Sequence, residues 1–239
     1  MTDVPWAFAH RGGALLPANI GIENTLRAFS NAVELGYTRL ETDVRASRDG
    51  VLYAFHDANL GRMTGRSVPL RDLDSAEIDA ILIGGREPLP RLTELLEEFP
   101  GCMFSIDVKA DDAVDATIDV LRGIQDRVIV GSFDHRRVQR LRTALPGAMS
   151  ALSRREVALH RGGAPLPHNT CASVPVSHRG IRIITERFVT RAHRRGIPVF
   201  AWTIDDMTEV TRLLDLGVDG IMSDRIDALR DLLMARGAW

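Results

Sequence analysis

Residues 23–44 read ENTLRAFSNAVELGYTRLETDV, and the order of patterns within them decides the fold. Leu26, Phe29, Ala32, Val33 and Leu35 recur at the spacing of an amphipathic helix, predicted over 23–35. Gly36 follows, a residue type that commonly closes a helix because it takes a positive φ without steric cost. Residues 39–44 then alternate in side-chain character with the period of a strand. Helix, glycine, strand is the half-unit of a parallel α/β sheet.

The unit recurs along the chain. Strands are predicted at 6–10, 39–44, 51–56, 103–109, 128–133, 149–153, 172–176, 198–204 and 220–223. Helices are predicted at 113–124, 136–145, 186–195, 207–216 and 226–235, with Gly196, Gly217 and Gly237 closing helical runs. Nine candidate strands, one of them read as extending its neighbour, predict a (β/α)8 TIM barrel, and 239 residues suit that fold as a single domain. A doubly wound sheet would want a G-x-G-x-x-G loop after the first strand, and Gly12-Gly13 lacks that spacing. The rhythm lapses over 57–92, where Gly61, Gly65, Pro69, Gly84, Gly85, Pro88 and Pro90 cluster. That stretch is expected to be a small insertion on the loop face of one barrel domain spanning 1–239.

Composition excludes several classes. A net charge of -2 gives no field for nucleic acid or an anionic membrane. No signal peptide or transmembrane stretch is read, so the expected location is cytoplasmic, with no integral membrane segment. Cys102 and Cys171 form no C-x-x-C and are expected to be buried free thiols. Of 30 basic residues only Lys109 is a lysine.

On the predicted strand at 39–44, Leu40 and Val44 would face the helices, so Glu41 and Asp43 would point into the barrel. Two inward carboxylates are costly to bury without a cation or a shared proton, and a hard metal with oxygen ligands is one solution; arginine ion pairs are another. On the next strand Ser105, Asp107 and Lys109 would point inward, adding a third carboxylate and placing the lone lysine to meet an anion. His10 and His56 each end a predicted strand, on the face where barrel enzymes carry their chemistry. Two imidazoles suit one proton acceptor and one donor near neutral pH. Asn24 or Thr25 caps the first helix, and Asn24 adds a polar contact on the same face. Trp202, near a strand end, is read as a pocket wall. His10-Arg11-Gly12-Gly13-Ala14 recurs as His160-Arg161-Gly162-Gly163-Ala164, with no carboxylate pair after the second copy, and is read as a chance echo.

Together His10-Arg11-Gly12, Glu23-Asn24-Thr25, Glu41-x-Asp43-Val44, His56-Asp57, Asp107-x-Lys109, Trp202-Thr203 and the ending at 217–225 resemble the glycerophosphodiester phosphodiesterase family. The resemblance implies a barrel with a small insertion and metal-dependent hydrolysis of a small-molecule glycerophosphodiester to glycerol 3-phosphate and an alcohol. It implies Mg²⁺ or Ca²⁺ held by Glu41, Asp43 and Asp107, with His10 and His56 as general acid and base. Arg11 and Lys109 would bind the phosphate, and Asn24 and Trp202 would contact substrate. Two departures stand out: Asp107 replaces the family's usual Glu, and Ile22 its common Pro, within a longer 10–23 loop. Lysophospholipase D or sphingomyelinase-D-like activity stays open within this reading. Outside it stand a Schiff-base aldolase using Lys109 and a non-catalytic phosphate-binding barrel.

Overall fold

In the computed structural model, which describes residues 4–162 and 164–239, eight parallel strands close into a barrel with helices between them. In chain order the elements are β1 (Trp6–His10), α1 (Leu26–Glu34), β2 (Arg39–Ala46), β3 (Leu52–Ala54), α2 (Gly61–Thr64), α3 (Ser75–Ile78), β4 (Leu82–Ile83), β5 (Glu87–Pro88) and α4 (Leu92–Glu98). There follow β6 (Met103–Val108), α5 (Val114–Leu121), β7 (Val128–Gly131), α6 (His135–Ala144), β8 (Met149–Ala151), α7 (Arg154–Gly162) and β9 (Thr170–Val174). The chain ends with β10 (Ser177–His178), β11 (Ile181–Arg182), α8 (Glu186–His193), β12 (Val199–Ala201), α9 (Met207–Asp215), β13 (Gly220–Ser223) and α10 (Ile226–Ala235). Around the barrel the order is β1, β2, β6, β7, β8, β9, β12, β13, and β13 pairs back to β1.

Period-two alternation sorts the side chains into layers. Ala7, Ala9, Leu40, Val44, Phe104, Ile106 and Val108 face outward into the shell between strands and helices, the main apolar core. Inside, Phe8, Ile129, Cys171, Phe200 and Met222 fill the lower barrel, with Trp6 stacked 5.3 Å from Phe200. Read upward, β1 presents Trp6, Phe8 and His10 to the interior, β2 Arg39, Glu41 and Asp43, and β6 Met103, Ser105 and Asp107. Each series begins beside the apolar plug and ends on a polar group at the C-terminal mouth.

The turn after β1 is built for close packing. Gly12 has φ +82°, and a Cβ there would come 2.9 Å from Ala28 on α1; one on Gly13 would meet Ile226 of α10 at 2.4 Å. Helix α1 starts on Thr25, whose hydroxyl accepts from the Ala28 amide at 3.2 Å.

Parts of the predicted pattern change. The strand expected at 51–56 is the short β3, antiparallel to the end of β2 and no part of the barrel wall. Ser47 turns the chain back, its hydroxyl donating to Asp49 Oδ1 and accepting from the Val51 amide, so His56 reaches the mouth just past the returning strand. The stretch beyond it holds α2, α3 and the β4–β5 pair around its own apolar cluster, including Tyr53, Leu60, Met63, Leu70, Ile78 and Ile83. Two helices escaped the pattern: α4, hidden behind the Gly- and Pro-rich stretch, and α7. His160 lies on α7, buried against the Phe188 ring at 4.9 Å, so the second His-Arg-Gly-Gly stretch, whose Gly163 lies outside the described residues, does not reach the mouth through His160. Cys102 and Cys171 are buried and free, as expected.

Candidate active site

His10, at the top of β1, contacts the Asp224 carboxylate through Nδ1 at 2.7 Å. Its Nε2 faces Glu41 at 3.7 Å and the Thr203 hydroxyl at 3.4 Å. Burial alone would lower the His10 pKa, but Glu41 and Asp224 outweigh it and hold the imidazole above its usual value. Asp224 is set by Asp205, whose Oδ1 accepts from the Asp224 amide and the Ser223 hydroxyl, both at 2.8 Å.

His56 repeats the arrangement. Its Nδ1 lies 2.6 Å from Asp57 Oδ1, and its carbonyl accepts from Arg45 Nε at 2.9 Å. Asp57 is held below the usual carboxylate range: burial works against this, but Arg62 and His56 prevail. An ionised carboxylate only accepts, so Nδ1 is the nitrogen through which His56 donates to Asp57. Asp57 thus orients an imidazole.

Between the histidines lie the carboxylates. Asp43 and Asp107 are register partners on adjacent strands, and Glu41 is the register partner of both His10 and Ser105. Lys109 Nζ bridges Asp43 at 2.6 Å and Asp107 at 2.5 Å. Arg11, in a left-handed conformation at φ +51°, brings Nε within 3.1 Å of Asp43, outside hydrogen-bonding alignment, and Nη1 donates to Glu23 at 3.0 Å. Burial pushes the Asp43 pKa up, but Lys109 and Arg11 overcome it and the carboxylate is held low. Glu41 has weaker cationic support: burial, and Asp43 beside it, push its pKa up to about 7.

Asn24 is placed behind this cluster, out of the cavity. It is buried at φ +61°, its amide nitrogen 3.4 Å from Asp43 and its oxygen accepting from Thr42 at 2.9 Å. Its side chain supports Asp43, where substrate contact had been expected. His10, Arg11, Glu41, Asp43, His56, Asp107, Lys109 and Trp202 all line one cavity of about 430 Å³. Trp202 meets Phe133 edge-on at 5.6 Å on the far wall.

Among the described residues no three His, Cys, Asp or Glu side chains are gathered closely enough to grip a metal, because Lys109 stands between Asp43 and Asp107. The donors nevertheless fit a hard divalent cation in kind: all three are oxygens, and Glu41 is a buried carboxyl whose charge its side-chain neighbours leave incompletely offset.

Asp224, Glu23 and Arg62 were not read as site residues. The signal for Asp224 was present: β13 pairs with β1 in the register Ala9–Ser223, which sets Asp224 opposite His10 once the barrel is closed. Glu23 accepts from Arg11 and from Arg62, the latter on the insertion, and no sequence spacing announces that contact.

Comparison with known proteins places the chain in a family. Residues 10–228 match the glycerophosphoryl diester phosphodiesterase family. A probable glycerophosphodiester phosphodiesterase 2 of Mycobacterium tuberculosis is 34% identical, covering 97% of this chain and 95% of its own. A human lysophospholipase D is 26% identical, covering 94% and 85%. A phosphodiesterase of Oleispira antarctica, solved with the product sn-glycerol-3-phosphate, shares the fold with a TM-score of 0.80 at 22% identity, covering 97% of each chain. The chain belongs to the glycerophosphoryl diester phosphodiesterase family.

Proposed function

We propose that this chain hydrolyses glycerophosphodiesters to glycerol 3-phosphate and an alcohol, using His10 and His56 as the proton-transfer pair. The observation that carries the reading is the matched pair of imidazoles, each contacting a carboxylate through Nδ1, on either side of a buried carboxylate–cation cluster. Arg11 and Lys109 bind the phosphoryl oxygens. One histidine takes the proton of the nucleophile, water or a neighbouring substrate hydroxyl, and the other gives a proton to the departing alcohol. Glu41, Asp43 and Asp107 would hold Mg²⁺ or Ca²⁺, which would offset charge building on the phosphoryl oxygens. Trp202, on the cavity wall, would bound the substrate.

Lys109 does not suit Schiff-base chemistry. Burial lowers its pKa, but Asp43 and Asp107 more than reverse this, so the amine stays protonated and non-nucleophilic. The whole chain, 1–239, is taken as one barrel domain with its insertion. No described helix is long and apolar enough to cross a membrane, and two buried free thiols fit the reducing cytoplasm.

A second reading has its own support. Away from the charged cluster, the cavity is walled mainly by Phe133, Leu152, Val157, Ile181, Ile183 and Trp202, with Arg154 and His178 among them, and the lining carboxylates Glu41, Asp43 and Asp107 all lie in that cluster. Such a wall favours an apolar substituent over a cationic head group, so a monoacylated phosphodiester is a second substrate. The test is a panel of glycerophosphocholine and short-chain lysophosphatidylcholines assayed with Mg²⁺, Ca²⁺ or chelator. Metal-dependent turnover of glycerophosphocholine is expected, rising with chain length by roughly two- to fourfold per buried methylene. Turnover that ignores chelation removes the metal from the account, and turnover of no phosphodiester removes the function.

A further inference from the structure

We infer that Arg62, carried by the insertion, is a positioning residue that sets His56 and Arg11 together. The inference rests on the phosphodiesterase reading, since it assigns Arg62 a role in that reaction. Arg62 Nε donates to Asp57 Oδ2 at 2.6 Å, while its Nη1 and Nη2 donate to the two oxygens of Glu23 at 3.0 and 2.6 Å. Each carboxylate spends its other contact on one working side chain. Asp57 Oδ1 holds the His56 ring at 2.6 Å, and Glu23 Oε1 accepts from Arg11 Nη1 at 3.0 Å. One planar guanidinium thus sits one step from the proton-transfer group and one step from the phosphate-binding group. A lysine, with a single nitrogen, cannot reproduce this fork.

The mount of Arg62 matters as much as its reach. It lies on α2, whose next residue, Met63, is buried in the insertion's apolar cluster. The Met63 carbonyl accepts from the Gly84 amide at 2.8 Å, and a Cβ on Gly84 would come 2.6 Å from the Gly21 carbonyl of the loop after β1. The small core of the insertion therefore fixes where Arg62 stands relative to the barrel mouth. On this account the insertion serves the reaction through that side chain, without contributing a group to the substrate.

The test is a double-mutant cycle with glycerophosphocholine as substrate, using Arg62→Ala, Asp57→Asn and the pair, with metal present. Arg62→Ala is expected to lower kcat by about tenfold or more, the scale seen when a partner behind a working ligand is lost. Asp57→Asn should also lower kcat, and the double variant should lose less than the product of the two single losses, because only the branch through Asp57 is shared. Nitrogen NMR of the imidazoles should show His56 protonated on Nδ1 in the parent and mixed between tautomers in Arg62→Ala. Arg62→Lys should restore thermal stability without restoring kcat. If Arg62→Ala does not fold, the lysine variant carries the same comparisons. Unchanged kcat and unchanged His56 tautomer in the Arg62 variants overturn the inference, as do fully additive losses in the cycle. A parent enzyme whose His56→Ala variant is fully active overturns the underlying reaction scheme instead, which keeps the two failures apart.

Discussion

At the scale of single residues, the site is a set of charges that would each be costly alone. Asp43 is almost fully buried, and it is tolerated because Lys109 and Arg11 approach it within 2.6 and 3.1 Å. Replacing Lys109 by methionine leaves Asp43 and Asp107 facing each other with one cation fewer. Removing one partner of a buried pair typically costs about 3–5 kcal/mol. Urea unfolding of Lys109→Met without metal should show a loss of that order, partly recovered by added Mg²⁺; equal stability to the parent contradicts this charge balance. Asp224→Asn tests the other partner group. It keeps the shape beside His10 but removes the acceptor charge, so turnover should fall about 10- to 100-fold while stability holds, by the measure of comparable supporting partners. Glu41, Asp43, Asp107 and Lys109 were legible in the sequence because strand alternation alone turns them inward. Asp224 was not, because its meaning depends on β13 meeting β1 across the barrel seam, a contact between residues 214 positions apart.

At the scale of elements, strand order carried most of the fold. Eight segments of period-two sequence became the barrel wall, and α1 began where Thr25 caps it. What was misread was direction and disguise: β3 runs back along β2, and α4 hides behind Gly and Pro residues that belong to the insertion. Helix α7 supplies a prediction. His160 is buried between α7 and α8, with Nε2 3.4 Å from the Phe188 carbonyl. Burial lowers its pKa; the Phe188 carbonyl opposes this without reversing it, and Arg195 and Arg191 add smaller lowering effects. The unfolded chain would protonate this ring near pH 6.5, while the folded chain resists until lower pH. Between those values the unfolded state binds more protons, so stability is full above about pH 6.5 and is lost as pH falls below it. His160→Phe removes this group. The parent should therefore lose stability relative to the variant between pH 7.5 and 5.5, read as unfolding midpoints. A difference that stays flat with pH counts against the buried neutral imidazole.

At the scale of the whole molecule, the barrel, the insertion and the closing turn meet at one cavity. β1, β2 and β6 bring the charged cluster, β3 returns His56, the insertion supplies Arg62, and the turn after β13 supplies Asp224. No single stretch of the chain holds the site, so its chemistry was legible residue by residue while its assembly was not. Of the apolar far wall only Trp202 was legible, since Phe133, Val157 and Ile181 come from separate elements, after β7, on α7 and on β11. The account stands or falls on the histidine pair. The most direct measurement is the rate of glycerol 3-phosphate release from glycerophosphocholine by the parent and by His56→Ala, side by side, with Mg²⁺ present. Loss of a positioned acid or base predicts a fall of about 10²- to 10⁴-fold in the variant with an unchanged unfolding midpoint. Near-normal release by a folded His56→Ala would contradict it.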